Sequence, residues 1–146
     1  MVEKHIRQDR VVGSILLNDK GEVLLQLRDD KPELRYPNHW TFFGGAVEDG
    51  ESPDEAIARE LMEELELDIP VTFWMSYKCP ARTVPGEVVT TNHMYIGRVT
   101  QPIETIPLHE GQAMQFFNRE DSEALTLAFE QSPILARYFQ DGPSIK

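Results

Sequence analysis

From Pro53 to about Leu65 the apolar residues Ile57, Leu61 and Leu65 recur every four positions, with Ala58 beside them. That spacing puts side chains on one face of an α-helix and of no other regular structure. Ser52 suits the N-cap and Pro53 the first turn. On the same helix Glu60, Glu63 and Glu64 share the adjoining sector, so three carboxylates converge beside the core-facing side. Like charges at this spacing destabilise a bare helix by roughly 0.2–0.5 kcal/mol per pair, and by more where they are partly desolvated. The cluster therefore asks for a cation. Clustered carboxylate oxygens suit a hard ion such as magnesium, which keeps several waters and also binds substrate phosphates. Taken alone, the residues leave the alternative of a solvated acidic face open.

The rest of the chain supplies a sheet for this helix to cover. Val11 to Leu17 is a β-branched apolar run, Asn18-Asp19-Lys20-Gly21 has turn chemistry, and Val23 to Leu27 resumes the run, so a hairpin is expected. Arg28 to His39, with Pro32 and Pro37, reads as an exposed loop leading into the aromatic strand Trp40-Thr41-Phe42-Phe43, which Gly44-Gly45 ends. Ile69 to Tyr77 and Val88 to Val99 are strands expected to pair across a loop containing Pro80, Pro85 and Gly86. Ala113 to Phe117 is a final short strand. Polar Asn118 to Glu123 leads to a helix including Leu125 to Phe129, and Ser132-Pro133 restarts a last helix through Phe139. This order predicts an α+β sandwich, a helix against a largely antiparallel or mixed sheet, and not a doubly wound fold. No repeat or linker divides residues 1–146, so one domain is expected.

Charge and cysteine content narrow the function. A net charge of -11, from 25 acidic against 14 basic residues, argues against a nucleic acid polymer as the principal partner, because that needs an extended basic surface. A phosphate compound remains accessible if metal ions and a few arginines reverse the field locally. No stretch approaches the roughly 18 apolar residues of a spanning helix, so no membrane partner is expected. Cys79, the single cysteine, can form neither an intrachain disulfide nor a cysteine-based zinc site, and a reducing cytoplasm fits best. His5, His39, His93 and His109 show no ligand spacing.

The string Gly45-x5-Glu51-x7-Arg59-Glu60-Leu61-x-Glu63-Glu64-x-x-Leu67 resembles the 23-residue signature of the Nudix, or MutT-like, hydrolases at nearly every fixed position. The preceding Trp40 to Gly45 looks like that family's strand entering the signature loop. The resemblance implies a Nudix-type α/β/α sandwich with a mixed β-sheet. It implies metal-dependent hydrolysis of the diphosphate linkage in a nucleoside diphosphate linked to another group, with Mg2+ or Mn2+ as cofactor. A nucleoside triphosphate, oxidised or not, suits a small domain; nucleotide sugars and ADP-ribose are the alternatives. By the same resemblance Glu60 and Glu64 should be direct metal ligands, Glu63 a ligand or water-mediated partner, and the Gly44 carbonyl a further metal contact. Arg59 and Glu51 should pair and hold the loop against the helix. A homodimer is common in the resembling family. A non-catalytic sensor on this fold would be expected to have lost metal carboxylates, and all three are present; an isoprenoid diphosphate isomerase would need a longer chain.

Three positions lie outside that match or depart from it. Glu66 stands where the signature has glycine, and a left-handed glutamate costs roughly 1–2 kcal/mol, so the helix is expected to run on a little or to end without that cap. Glu110, in Leu108-His109-Glu110-Gly111-Gln112, lies about where family members add a carboxylate; it contacts metal or the attacking water, or is a solvated loop acid. Arg28 and Arg35 could reach substrate phosphates, and Trp40, Phe42, Tyr77 or Tyr95 could stack on a base, although core packing accounts for most of those aromatics.

Overall fold

Strand β1 (Arg10–Leu17) turns through Asn18, whose side-chain carbonyl accepts the backbone N–H groups of Lys20 and Glu22, into β2 (Val23–Leu27). The hairpin expected from the turn residues forms. The computed structural model describes residues 10–80 and 89–143; the readings made for His5, Pro85, Gly86 and Val88 fall outside them. The remaining elements are β3 (Trp40–Thr41), β4 (Phe43–Ala46), α1 (Pro53–Leu65), β5 (Val71–Pro80), β6 (Val89–Arg98), β7 (Ala113–Phe117), α2 (Arg119–Glu123) and α3 (Ser132–Asp141). The sheet runs β3-β2-β1-β6-β5, with β4 paired to β1 and β7 to β2. β1 and β6 are parallel while the other pairs are antiparallel, which makes the sheet mixed.

Alternation along the strands divides the core between the two faces of this sheet. Val12, Leu16, Leu24, Phe43 and Tyr95 pack with Ile57, Leu61 and Leu65 of α1. Ile15, Leu17, Leu25, Met94 and Ile96 pack with Leu135 and Tyr138 of α3 on the other face. The result is the expected α/β/α sandwich. Among the described residues no helix is long and apolar enough to cross a membrane.

Helix α1 has the predicted bounds. Ser52 caps it, and Glu55 returns a bond to the Ser52 N–H, completing a capping box. The buried stripe differs slightly from the predicted one, because Ala56 is buried and Ala58 is exposed. Ala56, Glu60 and Glu64 therefore form a second line, four residues apart, flush with the line of Ile57, Leu61 and Leu65.

The helix end corrects a prediction. Glu66 is left-handed at φ 53° and ψ 39°, so the helix stops at Leu65 with the cap a glycine would make. Its N–H donates to the Leu61 and Met62 carbonyls, and its carboxylate meets His109 Nε2 at 2.6 Å. These contacts offset the strain of a side chain in that region. Glu66→Gly should relieve the strain while losing an exposed contact worth little and gaining unfolded-chain entropy, for a net stabilisation of about 0.5–1 kcal/mol. Thermal denaturation reads this directly; an unchanged or lower Tm would show that the His109 contact dominates.

Two other expectations change. Gly44-Gly45 does not end the strand: the break falls at Phe42, whose N–H donates to Gln131 Oε1, and β4 carries both glycines in register with Gly13 and Val12. Leu125 to Phe129 is not helical. The short helix instead covers Arg119–Glu123 under an Asn118 cap, and only a 3-10 turn, Ala128–Glu130, follows. Phe129 and Glu130 have φ of 55° and 58°, and Ser132 Oγ takes the Leu127 N–H, so the chain cannot continue as a helix there.

Candidate active site

Close approach of α1 to β4 brings the helix carboxylates against the sheet. A Cβ on Gly45 would run into the Glu60 carboxyl group, and one on Gly44 would collide with the Val12 carbonyl oxygen. Both positions need glycine because backbone and carboxylate occupy the space a side chain would take. The two glycines and Glu60 and Glu64 line a cleft of about 590 Å³, together with Glu110 from the loop before β7.

Arg59 fixes the loop to the helix. Its Nε and Nη2 hold Glu51 in two bonds of 2.7 and 3.0 Å, Nη2 also donates to the Ala46 carbonyl, and Nη1 reaches Glu60 at 3.0 Å and Glu63 at 3.2 Å. The expected Arg59–Glu51 pair thus has the bidentate geometry that a planar guanidinium favours. The Arg59 bonds hold the Glu51 carboxyl down at about 2, assisted by the Glu48 N–H, and raise the guanidinium well above its ordinary value. Glu48, which the sequence did not single out, approaches Arg59 at 3.7 Å.

The three helix carboxylates do not share one environment. Glu64 is only 5% exposed, its Oε1 has no hydrogen-bond partner, and the Gly44 N–H and Glu110 both bond to its carboxyl group. Burial, then the bond to Glu110 and the charge of Glu60, push Glu64 up to about 10. Glu60 is raised too, chiefly by burial, against the opposing pull of Arg59. The Glu63 side chain is 59% exposed, held by Arg59 outside the cleft lining. Helical spacing brings Glu60 and Glu63 together on Arg59 Nη1, and Glu60 and Glu64 line the cleft, with Glu63 the exposed member of the three. Among the described residues no three His, Cys, Asp or Glu side chains form a ready metal cage. A buried, unpartnered Glu64 oxygen beside Glu60 still fits a divalent ion, since such an ion completes its shell with water and phosphate oxygens.

The cleft lining also carries cations. Arg28 and Arg35 both line it, their guanidiniums 5.0 and 5.1 Å from the centre of the Phe129 ring, and Arg28 Nε donates to the Arg35 carbonyl. Burial lowers Arg28, while Glu110 acts in the opposite sense. Trp40 is placed differently from its expected substrate contact: it packs edge-on against Phe117 at 4.8 Å, in the core over α3, and is not among the cleft residues. Tyr95 is likewise core, with its hydroxyl on Asp54. Phe42 and Tyr77 do line the cleft. Phe129, Gln26 and Asn92 also line it and went unnoticed in the sequence. Only Gln26 left a signal there, a polar residue inside the apolar run Val23 to Leu27.

Comparison with known proteins agrees with this architecture. The family model of the NUDIX domain matches residues 7–138. The CTP pyrophosphohydrolase of Escherichia coli (strain K12) is 30% identical over 128 residues, which cover 88% of this chain and 89% of that protein. The RNA pyrophosphohydrolase of Vibrio cholerae is 38% identical over 81 residues, 50% of this chain but only 43% of that protein. The MutT protein from Methanosarcina mazei Go1 has the same fold, with a TM-score of 0.75 at 19% identity, covering 97% of this chain and 100% of that one. The chain belongs to the Nudix hydrolase family.

Proposed function

We propose that this chain hydrolyses the diphosphate linkage of a nucleoside triphosphate, releasing pyrophosphate from the nucleoside monophosphate, with Mg2+ or Mn2+ as cofactor. The observation that carries the reading is one cleft lined by Glu60, Glu64 and Glu110 and also by Arg28 and Arg35. Similarity to a CTP pyrophosphohydrolase along nearly the whole of both chains favours a triphosphate over a nucleotide sugar or ADP-ribose. The net charge of -11 disfavours an RNA polymer.

In this reading Glu60 and Glu64 would hold the ion with the Gly44 carbonyl, and the ion when bound would neutralise phosphate charge. Arg59 and Glu51 position the loop and leave Glu60 correctly aimed. Water attacks one phosphorus, Glu63 or Glu110 takes its proton, and the bridging P–O bond breaks as the leaving phosphate departs. Arg28 and Arg35 orient the phosphate chain. The chain acts as a single cytoplasmic domain on a small nucleotide.

Pyrophosphate release from a panel of nucleoside triphosphates, nucleotide sugars, ADP-ribose and dinucleoside polyphosphates, with magnesium, manganese or chelator, tests the proposal. Turnover of triphosphates that chelator abolishes is expected. Turnover confined to another class would reject the substrate, and turnover that survives chelation would reject the mechanism.

A further inference from the structure

Gln26 is 5% exposed, lines the cleft, and leaves its Nε2 buried without a hydrogen-bond partner. A buried amide N–H2 with no acceptor is costly and rare, so its retention needs an explanation. The register gives its direction. Gln26 lies two residues from Leu24 on β2, and Leu24 belongs to the core beneath α1, so both side chains face the side of the sheet that carries the helix carboxylates. Met114, its partner on β7, packs into the same core.

The neighbouring loop is shaped around this side chain. Gly111 follows Glu110 and has φ of 92°, and a Cβ there would come within 2.7 Å of Gln26 Cγ and 3.0 Å of its Cδ. Gln26 therefore sits against the loop that delivers Glu110 to Glu64. Its side chain borders a cleft whose charged lining is Glu33, Glu60, Glu64, Glu110 and Glu130 with Arg28 and Arg35. Carboxylates alone would repel a phosphate anion there; a neutral N–H2 can bond a phosphate oxygen without competing for a cation.

We propose that Gln26 Nε2 donates a hydrogen bond to a non-bridging phosphate oxygen of the bound diphosphate, between Arg28 and the helix carboxylates. This rests on the diphosphate-hydrolase reading above. Gln26 is then a substrate-binding residue for the anion itself, indifferent to the base.

Calorimetric binding of imidodiphosphate and of an α,β-imido nucleoside triphosphate to the Mn2+-loaded protein tests it in wild type, Gln26→Met, Gln26→Leu and Gln26→Glu. Both probes should bind about tenfold or more weakly in the Met and Leu variants, as expected for a lost bond to a charged acceptor, and weaker still in Glu, which offers only acceptors. Mn2+ affinity without anion should change by less than about twofold, and Tm of the Met and Leu variants should hold or rise because an unpaired amide has gone. Anion binding within about twofold of wild type in a folded Met or Leu variant would overturn the assignment, as would a parallel loss of Mn2+ affinity, which would place Gln26 on the ion. If wild type binds neither probe, the hydrolase reading fails and takes this one with it; binding by wild type with unaffected variants removes Gln26 alone.

Discussion

Glu64→Gln is expected to cut metal-dependent turnover by well over 100-fold while making the metal-free protein more stable. Changing a residue that merely orients a metal ligand costs roughly 10–100-fold. Removing a ligand's charge should cost more. Stability moves the other way because Glu64 is buried at 5% exposure with an unpartnered Oε1, and its carboxylate form is strongly disfavoured by burial, by Glu110 and by Glu60. A neutral amide keeps the shape and needs no proton taken up on folding, for a gain of roughly 1–3 kcal/mol in chelator. Steady-state turnover with divalent ion reads the first effect and thermal denaturation in chelator the second. A lower Tm in chelator would show that the bonds of the Glu64 carboxyl group to Gly44 and Glu110 outweigh its burial.

That opposition between stability and activity explains which parts of the site were legible in the sequence. Helical spacing reported that Glu60, Glu63 and Glu64 lie near one another, and the apolar rows fixed which side meets the sheet. It could not separate the row of Ala56, Glu60 and Glu64 from Glu63, because that depends on how the helix is rolled against β4, and the roll is set by Gly44 and Gly45. Bounds of β1, β2, α1 and β7 followed from local chemistry. Leu125 to Phe129 failed because its apolar residues were counted as helical, whereas the left-handed Phe129 is clasped by Arg28 and Arg35 from a loop about 100 residues earlier. Glu66 failed for a similar reason: His109, 43 residues distant, partners a side chain that local propensity alone would exclude from a left-handed cap. Trp40 could not be sorted from Phe42 or Tyr77, since all three pack against the same core cluster and only the tertiary arrangement shows that Phe42 and Tyr77 also border the cleft.

The same carboxyl group predicts how pH acts on the metal-free protein. Burial, with Glu110 and Glu60 beside it, pushes the Glu64 carboxyl group up to about 10 from an ordinary 4.5. Below about 4.5 both states carry the proton and the contribution is complete; as pH climbs past that value the unfolded chain ionises while the folded chain keeps its proton, which favours unfolding. Through the window from about 4.5 to about 10 the folded protein must either keep the proton or bury a charge, so stability falls as pH rises. A divalent ion at Glu64 has to displace that proton, and its apparent affinity should then strengthen by up to about tenfold per pH unit within the window. The Tm gain on adding Mn2+ should accordingly be larger at pH about 8.5 than at about 6.5, with close to one proton released per ion, measured by calorimetry in two buffers of different ionisation enthalpy. Glu64→Gln should show neither the release nor the slope. A metal-induced gain independent of pH would mean that the ion does not bind at Glu64, and would move the site to the more exposed carboxylates around Arg59.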